Sequence, residues 1–169
     1  MNISTNRSLS RLAAVQTLFQ YDFNKNMQLE ALTSLNDEKI SEIFDTIKNF
    51  NKGVTEFKDL KLDRNWFLIL VNSVFKNKSS IDSTLISFLE NDWSIDRMDP
   101  TLTNILRCAY IEFKDYSNIP VKVIINEYTN IASSFYDVAE VNFINGVLDK
   151  VSKEFINNKR IVKIGRGLL

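Results

Sequence analysis

Apolar residues recur at intervals of three and four along most of the chain, with polar residues between them. This spacing gathers the apolar side chains on one stripe of an α-helix, whereas a half-buried strand needs strict alternation. Four stripes are clear: Ile40, Ile43, Phe44, Ile47 and Phe50; Ile81, Leu85, Phe88 and Leu89; Leu102, Ile105, Leu106, Ala109, Tyr110 and Phe113; and Val121, Ile124, Ile125, Tyr128, Ile131, Ala132 and Phe135. Each stripe predicts an amphipathic helix.

The starts of these helices carry capping signals. Asp99 suits an N-cap, and Pro100 suits the first helical position after it. Pro120 is expected to play the same part for the next helix, and Asn36 is a candidate cap for an earlier one. The stretch 65–75 is apolar nearly all round, and its length favours a buried helix over a strand.

The first helix is predicted to run from about Ser8 to Phe23. Its inward positions are Leu9, Leu12, Phe19 and Phe23. Arg7 and Arg11 lie one turn apart and are placed on a different face.

The pair Asn145-Gly146 is a hairpin signal between alternating apolar residues, but its neighbours follow a helical period. The stripe consists of Ile144, Val147, Leu148, Val151 and Phe155. Gly146 therefore lies inside a helix, at a cost of ~1 kcal/mol relative to alanine. The wheel places it on a polar, basic face with Asn142, Lys150, Lys153 and, at the edge, Phe143. The glycine either lets a phosphate backbone approach or lets the first helix pack closely.

With only four glycines and two prolines, the chain is predicted to be all-α, with about seven helices and no convincing strand. A chain of 169 residues can bury a real core. The one cysteine, Cys108, excludes an internal disulfide and is interpreted as a small core residue. Without a long apolar run or a signal peptide, a cytoplasmic protein is expected.

A net charge of zero conceals an uneven charge distribution. From Met1 to Tyr21 the chain has two arginines and no acid, and from Lys150 onward it has six Lys or Arg and one Glu. Basic ends on an acidic body suggest contact with an anion. Solvated tails are the alternative.

The catalytic and metal-binding signals are weak. The chain has no histidine, the commonest general base and metal ligand. Carboxylates cluster at Glu90, Asp92, Asp96 and Asp99, but acids between two helices usually serve as caps and dipole partners. We expect no enzyme, metal site or cofactor. Cations near aromatic rings instead suit single-stranded nucleic acid, and Phe19 and Phe135 are either such rings or core residues.

Read together, the segments RLAAVQTLFQYD, ILRCAYIEF, IPVKVIINEYTNIASSF and FINGVLDKV resemble the NusB family of bacterial transcription antitermination factors. The resemblance covers roughly residues 7–153 and is weakest from Met27 to Asp63. It implies two small packed helical subdomains within one domain, 1–153, followed by a basic tail, 154–169. It also implies a protein partner, the small-subunit ribosomal protein NusE, and binding to boxA-type single-stranded RNA in the transcription elongation complex.

The residues and the resemblance together give a candidate RNA-binding set: Arg7, Arg11, Phe19, Phe135, Asn142, Phe143, Gly146 and Lys150. The acidic residues Glu90, Asp92 and Asp96 are assigned to the basic partner, because their charge repels phosphate. Two alternatives remain: a purely protein-binding helical adaptor, and an RNA-recognition domain related to that of ribosomal RNA cytosine methyltransferases.

Overall fold

The computed structural model describes residues 5–23, 36–50, 61–89 and 94–157. Within these ranges the chain forms six α-helices and one short 3₁₀-helix, with no strand. The α-helices are α1 (Asn6–Phe23), α2 (Asp37–Phe50), α3 (Arg64–Ile86), α4 (Pro100–Asp115), α5 (Val121–Ala132) and α6 (Val138–Asn157), and the 3₁₀-helix is Ile95–Arg97. The all-α prediction is confirmed.

Helix α4 is the centre of the fold, because α1, α3, α5 and α6 all pack against it. Its 16 residues span about 24 Å at ~1.5 Å per residue. Helix α2 packs mainly against α1. The largest fully buried side chains are Phe113 of α4 itself, Phe67 of α3 and Tyr128 of α5.

The predicted caps are largely confirmed. The Asp99 carboxylate accepts hydrogen bonds from the backbone N–H groups of Thr101 and Leu102, and Pro100 occupies the first turn of α4. The Asn36 side chain accepts from the N–H of Lys39 at 2.9 Å. Pro120 differs slightly, since it is the N-cap residue of α5 rather than its first helical residue.

Helix α3 is continuous where the sequence indicated two segments. Its polar middle is held by α1 and α4: Lys78 pairs with Asp22, and Asp82 pairs with Arg107. The Arg107 guanidinium donates two hydrogen bonds of 2.8 Å to Asp82 and one of 3.0 Å to Asp22. One buried arginine of α4 therefore joins the end of α1 to the last turns of α3.

Two positions that the sequence predicts to be buried differ in the structure. Cys108 is fully buried, as predicted, and burial raises the pKa of its thiol. Phe23, expected in the core, is 76% exposed, so that prediction is wrong. It is the last residue of α1, and its ring stacks on that of Phe19 with 5.6 Å between the ring centroids.

The predicted tail and the predicted connection lie only partly within the described residues. Helix α6 continues past residue 153 and buries Phe155, whereas residues 158–169 of the basic tail lie outside the described residues. The connection predicted at 52–62 also lies mostly outside them. No helix in the described part is long and apolar enough to cross a membrane.

Candidate nucleic-acid interface

The first candidate surface is a cleft between α1 and α2, closed by the turn that follows α5. Its volume is about 360 Å³. The residues that line this aromatic cleft are Gln16, Thr17, Phe19, Gln20, Ile43, Thr46, Ile47, Thr101 and Phe135. Phe135 is 42% exposed and Phe19 is half-buried, so both rings border the cleft instead of filling the core.

The turn that carries Phe135 is fixed at the N-terminal end of α4. The next residue, Tyr136, donates a hydrogen bond from its hydroxyl to the carboxylate of Asp99. Partial burial opposes the charge of Asp99, but hydrogen bonds from Tyr136, Thr101 and Leu102 lower the pKa of its carboxyl. Burial and this carboxylate raise the pKa of the Tyr136 phenol. The contact therefore stays in one protonation state near neutral pH and holds the Phe135 ring beside α4.

The second candidate surface is a pocket of about 390 Å³ between the turn that follows α3 and one face of α6. The α6 pocket is lined by Phe88, Leu89, Asn142, Phe143, Gly146, Val147 and Lys150. Four of the predicted RNA-binding residues therefore share one surface. Phe88 and Leu89 were predicted only as a core stripe. They are half-buried and line a pocket with α6, which helical periodicity alone does not reveal.

Gly146 is exposed, and a Cβ atom built on it meets no atom within 4 Å. The interpretation that the glycine allows close helix packing is therefore wrong. The other interpretation, close approach of a phosphate backbone, stays a prediction. The backbone at Gly146 is open and is flanked by Asn142 and Lys150, both exposed. A further cation on this face, Lys153, pairs with Asp149 at 2.6 Å.

The two surfaces lie toward the same end of the bundle. The aromatic cleft includes Thr101, at the start of α4. The α6 pocket includes Phe88, which follows the end of α3 on the connection that leads to α4. Asp96 is exposed in the 3₁₀-helix of that connection. Glu90 and Asp92, its predicted companions, lie outside the described residues. Among described residues no His, Cys, Asp and Glu cluster could hold a metal ion.

Arg11 does not belong to this interface, which corrects the prediction. It is 3% exposed and donates two hydrogen bonds of 2.7 Å to the fully buried Glu112 of α4. Glu127 of α5 lies 3.3 Å away, and the Tyr128 hydroxyl donates to Glu112 at 2.7 Å. Burial disfavours the charge of Arg11, but Glu112 outweighs it and raises the pKa of the guanidinium. This arginine stabilises the core and is closed to phosphate.

Arg7 is exposed but lies toward the other end of α4. Its guanidinium stands 4.6 Å above the ring of Trp66 and 3.6 Å from Asp63. The same surface includes Tyr116, the C-cap residue of α4. Arg7 precedes Phe19 by about 18 Å along α1 at ~1.5 Å per residue. Only an RNA of several nucleotides could contact Arg7 and the aromatic cleft together.

Comparisons with known proteins agree with this fold. A model of the NusB family matches residues 8–153. The chain belongs to the NusB family. It is 34% identical to the transcription antitermination protein NusB of Rhizobium leguminosarum bv. trifolii, over 88% of this chain and 86% of that protein. It is 32% identical to the NusB protein of Sinorhizobium fredii, over 91% of this chain and 90% of that one.

Solved structures give the same result for the fold. T. maritima NusB superposes with a TM-score of 0.69 at 26% identity, over 94% of this chain and 98% of that chain. A chain from the crystal structure of a plectonemic RNA supercoil gives a TM-score of 0.61 at 22% identity, over 89% of this chain and 96% of that chain, which shows the fold alone. The NusB proteins named above are transcription antitermination proteins, and that role is not an enzymatic one.

Proposed function

We propose that this NusB-family chain is an RNA-binding antitermination factor of the cytoplasm. It pairs with NusE, binds boxA-type single-stranded RNA and acts in the transcription elongation complex on ribosomal RNA genes. The observation that carries the proposal is the placement of partly exposed aromatic rings, Phe19 and Phe135 in one cleft and Phe143 in the next, at one end of the bundle. Nucleobases stack on such rings.

The phosphate contacts come from the polar face of α6. Lys150 is exposed beside the open backbone of Gly146, and Lys153 lies one turn further on. A phosphate can approach this backbone closely because no side chain covers it. The combination of base stacking on one surface and phosphate contact on its neighbour suits a single strand that crosses both.

In the described part of the chain few cations border this interface, so we expect the chain alone to bind RNA weakly and to depend on its partner. With Arg11 buried, the predicted phosphate-binding cations that remain among the described residues are Arg7, Lys150 and Lys153. Each phosphate contact lowers log K by ~0.7 per log unit of salt for single strands, so the slope should be no steeper than about −2. A steeper slope would mean that other cations bind the RNA.

Truncation of an aromatic ring tests the proposal directly. Phe135→Ala should weaken boxA RNA binding by the NusE complex roughly 5- to 150-fold, because one base–aromatic stack contributes ~1–3 kcal/mol. Filter binding with and without NusE measures this. Val138→Ala, at a 73% exposed residue outside both surfaces, is the matched control. If the wild-type protein binds NusE but not RNA, the result contradicts the proposal and favours the purely protein-binding adaptor.

Gly146→Ala should separate stability from RNA binding. Because the new methyl group meets open space, the free energy of unfolding should rise by up to ~1 kcal/mol. The same methyl group should weaken RNA binding several-fold, because it covers the backbone that the phosphate is proposed to approach. Thermal melts and filter binding measure the two effects. Asn145→Ala, at the exposed neighbouring residue, is the control for helix propensity alone. Unchanged RNA affinity in Gly146→Ala would contradict this role.

Asp96→Lys should slow association with NusE while leaving RNA binding by the isolated chain intact. The exposed carboxylate lies near the start of α4 and is suited to steer a basic ribosomal protein. Stopped-flow association at low and moderate salt measures the effect, which should fade as salt is raised. If Asp96→Lys loses RNA binding while its rate of association with NusE is unchanged, the assignment of Asp96 to the protein partner is wrong.

A further inference from the structure

We propose that Tyr136 is a positioning residue of the candidate RNA interface, which anchors the turn after α5 to the start of α4 and thereby holds the Phe135 ring where it meets RNA. The inference rests on the RNA-binding function proposed above and adds to it a residue that acts through Phe135. The observation that carries it is the hydrogen bond from the Tyr136 hydroxyl to the carboxylate of Asp99, across 37 positions of the chain.

The turn that carries Phe135 has one side chain anchored in the body of the protein. Of residues 133–139, Tyr136 alone is half-buried and the others are exposed. The backbone N–H groups of Phe135 and Tyr136 both donate to the carbonyl of Ala132 at 3.0 Å, and these local bonds tie the turn only to the end of α5. The place of the turn relative to α4 therefore depends on Tyr136. Phe19 needs no such anchor, because it lies on the helix α1 itself.

The acceptor of this hydrogen bond is itself fixed. The Asp99 carboxylate caps α4 by accepting from the N–H groups of Thr101 and Leu102, so the Tyr136 hydroxyl is held against the first turn of that helix. Thr101 also lines the aromatic cleft. Hydrogen bonds to an ionised acceptor are roughly twice as strong as those between neutral groups. One bond therefore fixes the Phe135 turn relative to the wall of the cleft.

The two neighbouring rings of the turn are close enough to move together. The ring centroids of Phe135 and Tyr136 are 6.4 Å apart, with 56° between the ring planes. A turn released from Asp99 would let the Phe135 ring leave the cleft for part of the time, and apparent affinity falls in proportion to the fraction that stays in place. Tyr136 is unsuited to contact RNA itself, because its hydroxyl is engaged by a carboxylate that repels phosphate.

Two variants remove the anchor with little change of shape. Tyr136→Phe deletes the hydroxyl and keeps the ring, and Asp99→Asn removes the charge and keeps an oxygen that can cap α4. Tyr110→Phe is the matched control, since it deletes the hydroxyl of another half-buried tyrosine, whose ring packs against Phe155. Thermal melts establish that each variant is folded.

The first measurement needs no RNA. With para-fluorophenylalanine incorporated at Phe135 alone, the fluorine NMR signal reports the surroundings of this ring. Tyr136→Phe and Asp99→Asn should each shift the signal toward that of the free amino acid and narrow it, whereas Tyr110→Phe should leave it unchanged. An unchanged signal in Tyr136→Phe would overturn the inference whether or not the protein binds RNA.

The second measurement is the affinity of the NusE complex for boxA RNA in filter binding. Tyr136→Phe should weaken it roughly three- to tenfold, which corresponds to a ring in place for about a third to a tenth of the time. In a Phe135→Ala background the same change should alter affinity by no more than about twofold, because no ring is left to position.

The other outcomes separate the inference from the proposed function. An equal loss in both backgrounds would overturn the inference in favour of direct contact between Tyr136 and RNA. Unchanged affinity in Tyr136→Phe would overturn it as well and leave the proposed function standing. A wild-type complex that binds no RNA would contradict the proposed function, and the fluorine signal would still decide whether Tyr136 holds the ring.

Discussion

Arg11→Met is expected to lower the free energy of unfolding by about 3–5 kcal/mol. The substitution removes the guanidinium that pairs with Glu112 and leaves a carboxylate with 0% side-chain exposure in the core without its cation. Tyr128 remains as the only hydroxyl that donates to it in the described structure, at 2.7 Å, and cannot replace a charge. Urea unfolding followed by circular dichroism measures the change.

Two controls make this result specific. Adding Glu112→Gln to Arg11→Met removes the stranded charge, so the double variant should recover much of the loss. Arg7→Met changes the exposed arginine of the same helix and should cost no more than about 1 kcal/mol, the value of a cation–π contact with Trp66. RNA affinity of the folded Arg11→Met protein should be unchanged. A stable Arg11→Met protein with weakened RNA binding would restore the sequence-based interpretation of this arginine.

Arg107→Met is expected to have a stability effect of similar size, about 3–5 kcal/mol, together with a functional effect. The arginine is 4% exposed and holds Asp82 of α3 and Asp22 of α1. Because Asp22 lies one turn from Phe19, loss of the arginine should free the end of α1 that carries this ring. RNA affinity of the folded fraction should therefore fall as well, which Arg11→Met should not produce.

Lys78→Met is the matched control for Arg107→Met, since Lys78 pairs with the same Asp22 but its side chain is 39% exposed. An ion pair at the surface contributes ~0–1 kcal/mol, so a small loss is expected. Urea unfolding measures the stability of both variants, and filter binding in buffer without urea measures their RNA affinity. Equal losses for Lys78→Met and Arg107→Met would contradict the central role assigned to the buried arginine.

The sequence by itself determined the all-helical class and most of the apolar faces, although it divided the continuous helix α3 into two segments. Most residues of the stripes of α4, α5 and α6 are buried in the core, although Tyr110 and Ile125 are half-buried and Phe135 is exposed; the caps at Asp99 and Asn36 are present. Local rules suffice here, because helical periodicity and capping depend on residues within a few positions of one another. The same rules placed Gly146 on an exposed polar face of α6, where the structure has it.

The tertiary structure alone decided which side chains meet across the bundle. Arg11 and Glu112 are 101 residues apart, and Arg107 and Asp22 are 85 apart. A helical wheel assigns an arginine to a polar face but does not reveal whether another helix brings a carboxylate to that face. For this reason the sequence predicts Arg11 as an RNA ligand and Phe23 as a core residue, and the structure corrects both predictions. The packing of α1 and α6 against α4, and of α2 against α1, also brings the predicted aromatic residues into neighbouring surfaces and separates them from Arg7.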